Sequence, residues 1–151
     1  MTDATWTRDA ETWTLRTLLE RRLELDADGE YLDVCGTKLT AADVSQRGNR
    51  VANALIELGV QPGDRVATLV EHSAEAVVTW WDTILAGAIS VPVNTAYKGE
   101  YLRHQLHDAG AKVLVVESSL ADRAAQISDK LDQLFHVILI GEPNVDIPNR
   151  S

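Results

Sequence analysis

Residues 85–97 read LAGAISVPVNTAY. Small residues close on Gly87, the apolar segment ISVPV follows at 89–93, and Asn94, Thr95, Ala96 and Tyr97 come directly after it. An apolar run this short, bounded by glycine and by polar turn residues, predicts a strand buried on both faces. Pro92 cannot donate a ladder hydrogen bond, so it is expected at a strand end or beside a bulge, where it helps turn the chain toward Asn94.

The same kind of segment recurs on either side, as RVATLV at 65–70, KVLVV at 112–116 and HVILI at 136–140. Helical patterns separate them. Ser73 caps a helix that runs through Leu85, GEYLRHQLHDA forms one that ends at Gly110, and Ser118 or Ser119 opens one carrying Leu120, Ala124, Ile127, Leu131 and Leu134. Uniformly apolar strands alternating with helices predict an α/β fold, a mainly parallel sheet with helices on both faces.

Upstream, Leu15, Leu18, Leu19 and Leu23 lie at helical spacing behind Thr14, and acidic DADGE stops that helix. EYLDVC and TKL flank a Cys35-Gly36 turn and predict a short hairpin. Thr40 followed by Asp43 makes a capping box for a helix to Leu58, with Val44, Val51, Ala52 and Leu55 on its apolar face. Gly48 permits close approach there, and Gly59 suits the left-handed residue after the helix.

The chain has 151 residues, enough for one domain with a core. Residues 1–140 are read as that α/β unit, and the proline-containing tail 141–151 as a linker or cut end. A formal charge of -9 argues against nucleic acid or an anionic membrane surface as partner. One cysteine gives neither an internal disulfide nor a cysteine-based metal cluster, and no run approaches the roughly 20 apolar residues of a membrane span. No secretory signal pattern opens the chain, and a cytoplasmic location is expected.

Ligands of open parallel sheets bind beyond the carboxyl ends of the strands. That rule selects residues 71–73, 94–97 and 117–119, which otherwise serve as caps and turns. His104 and His107 are three apart on one helix without an evident third ligand, and are read as solvent-facing. Trp80 and Trp81 are read as core, and Cys35 as an unreactive thiol. No two of the nine glycines stand one residue apart, so G-x-G-x-x-G is absent, as is the G-x-x-x-x-G-K phosphate loop. No convincing set of nucleophile, base and orienting group appears either.

The succession LTAADVSQRGNRVANALIELGVQPGDRVATLVEHSAEAVVTWWDTILAGAISVPVNTAYKGEYLRHQLHDAGAKVLVVE, residues 39–117, resembles the N-terminal part of the adenylate-forming enzymes, and most of all the acyl-CoA ligases. The likeness extends from about Trp13 and, more loosely, to Ile140. Ala41 and His72 depart from the family pattern, which commonly has an aromatic residue and an asparagine at those positions. The resemblance implies an enzyme that joins a carboxylic acid to ATP with Mg²⁺, then passes the acyl group to coenzyme A. It also implies that the phosphate loop, the nucleotide motifs and the catalytic lysine lie downstream of the matched region, so this chain carries no catalytic or metal-binding residue and needs the missing C-terminal portion as partner. By the same resemblance, Asn94, Thr95, Tyr97 and Arg123 lie where coenzyme A can contact this domain, although Arg123 reads equally as a solvated helix residue. The competing reading is a non-catalytic, stand-alone α/β binding or regulatory module.

Overall fold

The structure, a computed structural model, describes residues 14–142 and residue 147. The expectations for Trp13 and for most of the 141–151 tail fall outside the described residues; Ile147 packs against the second core described below.

Thr14 starts helix α1 (Leu15–Asp26): its side chain accepts the Thr17 backbone N–H, and the Thr17 hydroxyl accepts the Thr14 N–H. Strands β1 (Glu30–Val34) and β2 (Thr37–Thr40) form an antiparallel hairpin. Its turn places both Cys35 (φ 52°) and Gly36 (φ 83°) in the left-handed region, as a two-residue hairpin requires. The expected capping box of Thr40 and Asp43 then opens α2 (Ala41–Glu57).

The remaining elements are β3 (Arg65–Leu69), α3 (Ala74–Leu85), β4 (Ile89–Pro92), α4 (Gly99–Ala109), β5 (Ala111–Glu117), α5 (Ala121–Ala125) and β6 (His136–Ile140). They form a four-stranded sheet in the order β4-β3-β5-β6, every pairing parallel. The period of two along the strands sends alternate residues to two cores. Val66, Val113 and Val115 meet α1, α2 and α3 on one face, whereas Ala67, Leu69, Leu114 and Val116 meet Leu102 and Leu106 of α4 and the segment around α5 on the other. Helices thus cover both faces of the sheet, but the expectation of a fully buried strand at 89–93 is corrected. β4 is an edge strand in which no residue is fully buried and Ile89 is 51% exposed, because only β3 pairs with it; Pro92, which cannot donate to a ladder, is its last residue.

One expected element is corrected as well. The segment opened at Ser118 is not a single helix: a 3₁₀ turn (Ser118–Leu120), the five-residue α5 and a second 3₁₀ turn (Ser128–Lys130) replace it. Neither serine side chain caps a helix; the Ser118 hydroxyl donates to the Ile140 carbonyl at 3.0 Å and the Ser119 hydroxyl to the Glu117 carboxylate. Ile127 leaves helical geometry at φ -128°, ψ -13°. Leu131 and Leu134 are nevertheless fully buried. Their spacing reported which residues reach the core, and tight turns deliver them there as well as a helix would.

Among the described residues, no helix is long and apolar enough to cross a membrane.

Candidate functional site

A cavity of about 510 Å³ opens at the carboxyl ends of β3 and β4. Thr68 and Val70 form one side, and Pro92, Val93, Asn94 and Thr95 another. Ala76, Val77 and Trp80 of α3 supply an apolar wall, and the hairpin turn adds Val34 and Cys35. Of the three strand-end segments selected from sequence, two therefore border one space, with His72 and Ser73 from the first and Asn94 and Thr95 from the second. The third is tied to the first, since the Glu117 carboxylate accepts the Glu71 backbone N–H at 2.9 Å.

Most polar groups around the cavity are engaged in local structure. The Ser73 hydroxyl accepts the Ala76 N–H at 3.2 Å and so caps α3. Asn94 Oδ1 accepts the Ala96 N–H at 2.9 Å, an Asx turn that Tyr97 extends by donating its N–H to the Asn94 carbonyl at 2.9 Å. Half-buried Arg123 reaches across from α5 and donates to the Thr95 carbonyl. The structure thus brings Asn94, Thr95 and Arg123 together. Tyr97 sits on the outside of the loop, 38% exposed, with its ring 6.4 Å from that of Tyr101.

Trp81 is buried as expected, in edge contact with Trp80 at a centroid distance of 5.4 Å. Trp80 is only half-buried and lines the cavity, a role that the apolar helix pattern did not reveal. The thiol of Cys35 lies 3.5 Å from the His72 carbonyl, so the hairpin closes over the strand end. His104 and His107 are exposed on α4 beside Asp108, at 3.2 and 3.5 Å. Among the described residues, no three of the His, Cys, Asp and Glu side chains group into a shell that could hold a metal ion.

The structure is thus an α/β unit, a parallel sheet with helices on both faces and a largely apolar cavity at its strand ends, whose lining offers shape more than reactive groups. The family model described as AMP-binding enzyme matches residues 19–148, and the chain belongs to that family, corresponding to its N-terminal part. It is 32% identical to tyrocidine synthase 2 of Brevibacillus parabrevis over 79% of its own length and 3% of that protein's. To the medium/long-chain-fatty-acid–CoA ligase FadD6 of Mycobacterium tuberculosis it is 33% identical, over 75% of this chain and 19% of the ligase. Its fold matches the crystal structure of a protein described as a long-chain-fatty-acid CoA ligase from Rhodopseudomonas palustris with a TM-score of 0.81 at 29% identity, over 88% of this chain and 34% of that one. The chain therefore spans about a third or less of each of these proteins.

Proposed function

We propose that this chain supplies the N-terminal α/β portion of a carboxylate–coenzyme A ligase. In that reaction a carboxylate oxygen attacks the α-phosphorus of ATP and pyrophosphate leaves. The coenzyme A thiolate then attacks the acyl carbon, and AMP leaves. The observation that carries the reading is the apolar cavity at the strand ends of an AMP-binding family member, bordered by the loop 94–97.

The residues present do not fit a magnesium–nucleotide site: the described acidic and imidazole side chains do not converge, and the sequence has no glycine-rich phosphate loop. In this reading adenylation is performed by segments outside residues 1–140, and the chain alone is inactive. Its own contribution is to wall the cleft and to meet coenzyme A. Arg123 uses part of its guanidinium on Thr95, and the remaining donors of a group with five N–H bonds are the expected phosphate contact. Tyr97 offers a ring face, and Asn94 and Thr95 set the loop that presents it. A fatty acid is the proposed acid, supported by the apolar wall and by what FadD6 and the Rhodopseudomonas ligase are described as using. A cytoplasmic location belongs to the same reading.

The test supplies the part of the Rhodopseudomonas ligase not spanned by this chain as a separate polypeptide. ATP–pyrophosphate exchange and acyl-CoA formation are then measured with short, medium and long acids. Activity in the mixture and none with either piece supports the proposal. Turnover by this chain alone, or an association that never yields activity with any acid, refutes it.

A further inference from the structure

Helix α3 also borders a second cleft, of about 350 Å³, through Glu75, Val78, Thr79 and Asp82, residues other than those that line the first cavity. Arg47 of α2, Glu75 and Asp82 of α3, Val115 of β5, and Ile138 and Ile140 of β6 face it. Asp82 is 0% exposed, and neither of its carboxylate oxygens has a hydrogen-bond partner. The nearby hydroxyls are already spent within the helix, Thr79 donating to the Glu75 carbonyl at 2.8 Å and Thr83 to the Thr79 carbonyl at 2.9 Å. Buried polar atoms are almost always paired in folded proteins, so an orphaned carboxylate beside an open cleft marks a place where a donor arrives.

The cleft lies along one edge of the sheet. Strand β6 is one of its two edge strands and all five of its residues are half-buried, whereas its neighbour β5 is mostly buried. Glu75 and Arg47, the latter exposed at the rim, are of opposite charge, so the group left without a partner is the Asp82 carboxyl. A cation is the occupant that would pair with it once it ionises.

We propose that this cleft receives an arginine or lysine side chain from the downstream portion of the ligase, which hydrogen-bonds the Asp82 carboxylate as the two portions dock. The proposal rests on the fragment reading given above. Burial pushes the Asp82 carboxyl up to about 8, so in the separate chain it holds a proton at neutral pH. The other charged groups at the cleft are Arg47 from α2 and Glu75 from α3, while β5 and β6 face it with apolar residues only. A docking cation therefore draws the proton off.

The experiment titrates this chain with the unspanned portion of the Rhodopseudomonas ligase by calorimetry at pH 7, in two buffers of different ionisation enthalpy. Unmodified chain is expected to release about one proton on association. Asp82→Asn, and Asp82→Ala as a second variant, abolish that release and weaken binding by about tenfold or more, the loss of a charge-assisted hydrogen bond. Circular dichroism checks that each variant is folded. Equal affinity and equal proton release in folded variants overturn the proposal while leaving the fragment reading intact. If Arg47→Gln alone abolishes the release, the partner is internal and the proposal is also overturned. No association of the unmodified chain refutes the fragment reading itself.

Discussion

Replacing Asp82 by asparagine should change how the stability of the isolated chain depends on pH. The carboxyl is raised from 3.8 to about 8 by burial, with no charge partner in hydrogen-bonding reach. Between those values the folded state binds a proton that the unfolded state has lost. Stability therefore falls as pH rises, by up to about 1.4 kcal/mol per pH unit. Across the whole interval the ceiling is about 6 kcal/mol, a large part of the roughly 5–15 kcal/mol typical of a domain. It is a ceiling because local opening of the cleft to water would relieve part of it. Asparagine is nearly isosteric and does not titrate. The difference in unfolding free energy, asparagine variant minus unmodified, should be near level below pH 4, climb from there, and flatten above pH 8. Urea unfolding followed by tryptophan fluorescence from pH 4 to 9 measures it, with Trp81 as a buried reporter. Parallel curves for the two proteins from pH 5 to 8 would refute the reasoning, since they would mean that Asp82 ionises normally in the fold.

Gly48→Val should destabilise the chain by about 1–3 kcal/mol in urea unfolding, because a Cβ there would stand 2.8 Å from Leu85 Cδ1 and 3.1 Å from Asp82 Oδ1, where α2 and α3 approach. Leu114→Ala, at a fully buried position of β5, should cost about 3 kcal/mol or more in the same assay. Lys112 hydrogen-bonds the Asp64 carboxylate at 2.7 Å and, with the Gln61 N–H, holds it below the ordinary carboxylate range. That stability is present above about pH 4 and is lost as pH falls through the lowered value, so Lys112→Ala should flatten the acid limb of the pH–stability curve. Arg123→Ala should raise the KM for coenzyme A in the reconstituted mixture with a smaller change in kcat, and equal KM values would remove Arg123 from the binding surface.

The strands were legible because each is an apolar run of five or six residues between glycine, proline or polar turns, and a parallel sheet covered on both faces leaves no other use for such runs. Capping chemistry fixed the starts of α1, α2 and α3 at Thr14, Thr40 and Ser73, where one side chain answers one orphan backbone N–H. Periodicity misled at 118–134, since it identifies which residues face the core and is silent on whether the backbone between them keeps i→i−4 bonds. The cavity walls were legible only in part. Asn94 and Thr95 follow from the strand-end rule, but Trp80, Val34 and Cys35 arrive there through packing between elements far apart in sequence. Arg123 meets Thr95 across 28 positions, a pairing that no local pattern encodes. Asp82 had a signal: a carboxylate inside AEAVVTWWDTIL is out of place in a helix otherwise apolar around most of its circumference.

The division of labour implied by the site follows from what its polar groups are already doing. Rate enhancement in acyl transfer to and from phosphate depends on donors and charges held ready for charge that develops in the transition state. Around this cavity the Ser73 hydroxyl is committed to a helix cap, Asn94 Oδ1 to its own loop, and Arg123 in part to the Thr95 carbonyl. Those bonds give the loop 94–97 a defined shape, and a defined loop beside an apolar wall can orient a bound chain. Orientation alone removes only part of a barrier of this kind. Under the proposed function the electrostatic remainder comes from groups that face the cavity from its open side, so the reading expects activity on reconstitution with the downstream portion and none from substitutions within this chain.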